Sequence, residues 1–253
     1  MSIETATREF IKSKSTISKS EISNFLMNIF PGISRENINW RIHRLLKTSV
    51  LASTGRGLYT SASRKASVVE ITDKMRLISD SLKLNFPELG YSIWDTMIIN
   101  DLSIHQIARY SVILEVERGT EDSVFYFMKD EFEDVFLSPS VRECELYVNG
   151  SRYPVIIKPM ITQSPVVDRS GVSIPKPEKI LVDIFVDTAL FPAFHGNELV
   201  TIFKNATEFY KINFNTLLRY AGRRGARKRL ENFLDICAIK LPQKSSNRGR
   251  NDF

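Results

Sequence analysis

Apolar positions along the first sixty residues change from helical to alternating spacing. A short helix is predicted over residues 5–12, and Ser18-Lys19-Ser20-Glu21 announces a second. Serine followed three residues later by glutamate is a capping box, in which the hydroxyl accepts an early backbone N–H and the carboxylate reaches back to the cap. Ile22, Phe25, Leu26 and Ile29 then recur on one helix face, and Pro31-Gly32 ends it. Ser34 can cap a third helix over about residues 35–48, whose Ile38, Ile42, Leu45 and Leu46 face a core. Its other face carries Asn37, Asn39, Trp40, Arg41, Arg44 and Lys47. Residues 50–54 and 58–60 then read as a two-stranded hairpin with Arg56 at its tip, between Gly55 and Gly57. An aromatic on a helix is most often packed, so Trp40 is expected partly beneath this hairpin.

Beyond residue 62 the pattern is mixed. A helix-like stretch at 63–88 precedes strands at 91–94, 111–116, 124–128, 145–148 and 155–158, with helices expected at 102–110 and 130–136. This spells a small mixed α/β domain. Pro175-Lys176-Pro177 opens an all-helical end, with Pro177 suited to the first helical turn. Helices are expected there over about 177–185, 196–210, 214–221 and 225–239. The fold class is therefore α+β and multidomain: 1–66, a central 67–174, a helical 175–242, and a disordered tail from 243 to 253.

Charge sharpens this division. Residues 1–66 hold eleven lysines and arginines against four acids, residues 67–175 ten against seventeen, and residues 176–253 fourteen against eight. An acidic middle thus separates two basic ends, and basic clusters supply the sequence-independent phosphate attraction of nucleic-acid binding. Helix, helix, Gly-containing turn, basic helix and basic hairpin is the order of a winged helix-turn-helix, whose last helix enters the major groove. Arg35, Asn37, Asn39, Arg41, Arg44, Lys47 and Arg56 are the candidate contacts to duplex DNA, because amides and guanidinium groups pair with base edges and phosphates. A second basic cluster, Arg223, Arg224, Arg227, Lys228 and Arg229, suits phosphates, a solvated helix face or an answer to the acidic middle; all three remain open.

Signals for other chemistry are few. Cys144 and Cys237 have neither CxxC nor Cys/His spacing, so they support no zinc site and no disulfide framework. No Walker loop, G-x-S-x-G or H-E-x-x-H occurs, and His43, His105 and His195 are scattered. Asp95, Glu115 and Glu117 form the one catalytic constellation worth weighing, a nuclease-like set for Mg²⁺. The lysine such a site wants is missing from Glu115-Val116-Glu117-Arg118. No catalytic residue, metal or cofactor is assigned. The amino terminus lacks the apolar core of a signal peptide, and no apolar run approaches the roughly 20 residues of a membrane span, so a cytoplasmic protein without membrane contact is expected.

Two stretches resemble the antitoxins of AbiE-type (type IV toxin–antitoxin) abortive-infection systems. One is 17–59; the other runs from Ile174-Pro175-Lys176-Pro177-Glu178-Lys179 through Phe185, with 214–221 and 227–234 after it. Residues 67–173 match only in general character. The resemblance implies a protein that binds operator DNA to repress its own operon and counteracts a nucleotidyltransferase-like toxin, without requiring a stable complex. Five cations within seven residues make the 223–229 cluster the candidate for the antitoxin element. A stand-alone regulator with a ligand-sensing or dimerising domain is the alternative, and a homodimer is left open.

Overall fold

A computed structural model describes residues 3–12, 14, 16–30, 35–48, 50–62, 69–104 and 109–241; the side chains of residues 35, 36 and 47 lie outside this description. So do Pro31, Gly32, Ser34 and His105, residues 63–68 of the expected helix, 106–108 of the next, and the tail from 243.

The amino-terminal part contains α1 (Ile3–Lys12), β1 (Ile17–Ser18), α2 (Lys19–Ile29), α3 (Arg35–Lys47), β2 (Leu51–Gly55) and β3 (Leu58–Ser61). Ser18 caps α2 as expected. Its hydroxyl accepts from the Glu21 N–H while the Ser18 N–H donates to the Glu21 carboxylate at 2.9 Å. The hairpin turns through Arg56 and Gly57, and Gly57 adopts a φ of +73° that an L side chain rarely takes. β1 joins on the far side of β3, so Ile17 lies opposite Tyr59 in an antiparallel sheet of order β1-β3-β2. Ile11, Ile17, Ile22, Leu26, Ile38 and Ile42 make the core of this part, with Phe10 stacked on Phe25 at 3.8 Å.

The remainder is built on a mixed sheet. Its strands are β4 (Tyr91–Asp95), β5 (Val112–Val116), β6 (Val135–Leu137) and β7 (Val155–Pro159), in the order β4-β5-β7-β6. β4 is antiparallel to β5, and the other pairs are parallel. Helices α4 (Asp73–Asn85), α5 (Glu121–Glu131) and α6 (Val141–Leu146) and a hairpin of β8 (Val166–Arg169) and β9 (Val172–Pro175) accompany it. The end of the chain forms α7 (Pro177–Val186), α8 (Asn197–Phe209), α9 (Phe214–Arg223) and α10 (Arg227–Ile236). One hydrophobic core runs through both of these segments and includes Leu58 of the hairpin. The whole is a mixed α+β protein. Among the described residues no helix is long and apolar enough to cross a membrane.

Several expected elements differ from those observed. Residues 124–128 belong to α5, not to a strand: Val124 and Met128 are buried four positions apart, which is helical spacing, and Glu121 and Asp122 favour the first turn of a helix. Residues 145–148 close α6 and a 3-10 turn, because Ser140 and Glu143 form a second capping box. At 130–136 the helix instead ends at Glu131, and Val135 begins β6. The described part of 102–110 is irregular and comes after a 3-10 turn over Thr96–Asp101. The β8–β9 hairpin has no counterpart among the expected elements; its turn uses Gly171 at φ +79°.

Candidate nucleic-acid interface

Helix α3 separates its residues as its pattern requires. Ile38, Ile42 and Leu45 are buried, while Asn37, Asn39, Trp40, His43 and Arg44 are exposed. At about 100° per residue, Asn37, Trp40 and Arg44 fall on one outward stripe, flanked by Asn39 and His43 on one side and Arg41 on the other. Trp40 is 56% exposed, contrary to the packing expected of it. It projects from the outward stripe, where the Arg44 guanidinium stands 5.6 Å from its ring centroid.

Two guanidinium groups of this helix meet α1. Arg44 Nε lies 3.8 Å from the Glu4 carboxylate, and Glu4, Arg41 and Arg44 line one shallow pocket with Ile3 and Leu45. Arg41 is half-buried, and its Nε has no partner among the described residues. Arg56 is exposed at the hairpin tip, and the adjacent Gly57 carbonyl accepts from the Lys19 N–H at 2.9 Å. Asn37, Asn39, Arg41, Arg44 and Arg56 are therefore borne on α3 and the hairpin of one small core; the side chains of Arg35 and Lys47 lie outside the description.

A feature that sequence reading missed joins this part to the end of the chain. Lys240 Nζ lies 2.6 Å from Glu21 Oε1, and Lys240 and Leu241 share a groove with Lys19, Ser20, Arg56 and Gly57. Hydrogen bonding from Lys240, aided by the Ser18 N–H and hydroxyl, holds the Glu21 carboxyl down to about 2 despite partial burial. No sequence signal links residues so far apart.

The carboxy-terminal basic cluster is not one surface. Arg223 donates to Gln163 at 2.7 Å, Arg227 pairs with Glu231 one helical turn on, and Arg229 stands 5.5 Å over the Phe185 ring. Lys228 is exposed. Arg224 instead points inward, its side chain 12% exposed and 3.6 Å from Asp183. As a phosphate site the cluster is reduced to Arg223, Arg227, Lys228 and Arg229.

Asp183 belongs to a buried network on one face of the sheet. Lys179 of α7 donates to Glu115 of β5 and to Asp183 at 2.5 Å, and the Tyr220 hydroxyl donates to Asp183 at 2.9 Å. Burial opposes charge on Lys179, but the two carboxylates outweigh it and raise its pKa. Burial also pushes Glu115 up. The nuclease-like set is not assembled. Strand pairing puts Glu115 beside Ser92 and Asp95 beside Val112, on opposite faces of the sheet. Asp95 accepts from the Tyr153 hydroxyl there, and Glu117 is exposed beyond the strand. Among the described residues no group of three potential ligands converges on a metal position. The i, i+4 pair Lys179/Asp183 was the available signal for this network.

A family model described as "Family of unknown function (DUF6577)" matches residues 37–240, from within α3 to the lysine that meets Glu21. No curated protein matches the chain.

Proposed function

As the chain belongs to this family of unknown function, its activity rests on its own residues, and we propose that it is a DNA-binding antitoxin. In this reading residues 1–66 are a winged helix-turn-helix, α3 is the recognition helix and the β2–β3 hairpin is the wing. The rest of the chain counteracts a nucleotidyltransferase-like toxin of the AbiE kind. One observation carries the DNA half: an exposed stripe of Asn37, Trp40 and Arg44 on α3, set beside a short hairpin with an arginine at its tip. Amides and guanidinium groups on a helix of this size suit the major groove, and Arg56 suits the flanking phosphates.

The antitoxin half rests on the resemblance in 174–185, 214–221 and 227–234. Those residues build α7, α9 and α10, and the buried Lys179–Asp183–Tyr220 network lies between α7 and α9. Growth of cells expressing the neighbouring gene, if that gene encodes a nucleotidyltransferase-like protein, with and without full-length protein, tests it. Rescue supports the antitoxin reading, and failure to rescue while DNA binding persists favours a stand-alone regulator. Binding is measured by gel shift on the DNA upstream of the gene, with Arg44→Ala as the variant expected to weaken it.

A further inference from the structure

A cavity of about 510 Å³ opens on the face of the sheet that carries α7, beyond the end of that helix. Its floor includes Ile113 of β5 and Ile156 of β7, neighbours in register, and one wall is Phe191 and Phe194, beyond the end of α7. The volume falls within the range of small-molecule sites, roughly 300–1,000 Å³, and the lining is mainly apolar. Among the described lining residues Arg109 is the charged side chain, and none is a carboxylate. Its guanidinium donates to the Asn149 carbonyl, a neutral partner that occupies part of a five-donor group.

The surroundings of this wall contain unsatisfied polar atoms. Trp94 is 1% exposed, its ring stands 5.9 Å from Phe191, and its Nε1–H has no acceptor among the described residues. His195, next in the chain to Phe194, also keeps a buried ring nitrogen without a described partner. Buried polar atoms are otherwise almost always paired with protein or ordered solvent.

We propose that this cavity binds an amphipathic carboxylate, an alkyl or aryl chain lying on Ile113, Ile156 and Phe191 with its anionic end on Arg109. The apolar lining supplies affinity for the chain, and the Arg109 guanidinium beside hydroxyls and an amide sets the sign of the head group. The site lies apart from α3 and the hairpin and does not depend on DNA binding.

Anilinonaphthalene sulfonate, itself an aromatic anion, serves as the probe on the full-length protein. One saturable site per chain is expected, displaced by octanoate at about tenfold lower concentration than by octanamide. Arg109→Gln should bring the two competitors together, and Ala193→Trp on the exposed rim should remove the site without lowering the melting temperature. Absence of a saturable site, or probe binding unchanged in a folded Ala193→Trp protein, overturns the proposal. Equal displacement by octanoate and octanamide overturns its anionic part.

Discussion

Lys179 of α7 donates to Glu115 of β5, and both side chains are buried. The lysine thereby ties the first helix of the carboxy-terminal segment to the second strand of the sheet, while Asp183 holds its ammonium from the same helix. Breaking such a pair from one side leaves a charge buried without compensation.

Lys179→Met should therefore destabilise the protein by about 3–5 kcal/mol. Adding Glu115→Gln should restore part of this, because one of the abandoned carboxylates is removed. Urea unfolding of the two variants provides the check; a loss below about 1 kcal/mol in the single variant would show that the network is not what holds α7 to the sheet.

Salt dependence tests the DNA contacts. If Arg44 and Arg56 touch phosphates, replacing either by alanine should lower the slope of log affinity against log salt by about 0.9. Glu4→Gln frees Arg44 from its ion pair and should tighten binding by up to about fivefold at low salt. Titrations at several salt concentrations measure both effects, and parallel slopes for wild type and Arg44→Ala would remove that residue from the phosphate contacts.

The Glu21–Lys240 contact has a defined pH window. Because the folded-state carboxyl is lowered to about 2 from 4.5, its contribution is present above about pH 4.5 and is lost as pH falls toward 2. The melting-temperature difference between wild type and Lys240→Met should thus be largest near neutrality and shrink across that interval. A difference that stays constant down to about pH 2 would contradict the assignment.

The carboxy-terminal arginines separate into two tests. Arg224→Ala strips a partner from buried Asp183 and should cost about 1–3 kcal/mol, seen in urea unfolding. Arg223→Ala with Lys228→Ala changes exposed side chains and should leave stability within about 0.5 kcal/mol. If those outer residues serve the antitoxin, the surface pair loses rescue of growth while remaining folded and bound to DNA; full rescue makes them ordinary surface.

By itself the sequence determined whatever is written within a turn or two of the chain. Ser18 and Glu21 close their capping box through atoms three residues apart, Pro177 starts α7 in the first turn it favours, and the period of Ile38, Ile42 and Leu45 sets which face of α3 turns outward. Local strength also misled. The run from Val124 to Met128 has the composition of a strand, yet two of its residues are buried at helical spacing. Only tertiary structure decided which charges are available. Glu115 stood in the sequence as one of two alternating glutamates on a strand until a lysine 64 residues away met it, and Arg224 stood as one of five clustered cations until Asp183 drew it inward. Lys240 reaches Glu21 across 219 positions. Such pairings depend on how whole elements dock, through apolar burial that local spacing does not encode, and docking fixes whether a charged group faces a partner or water.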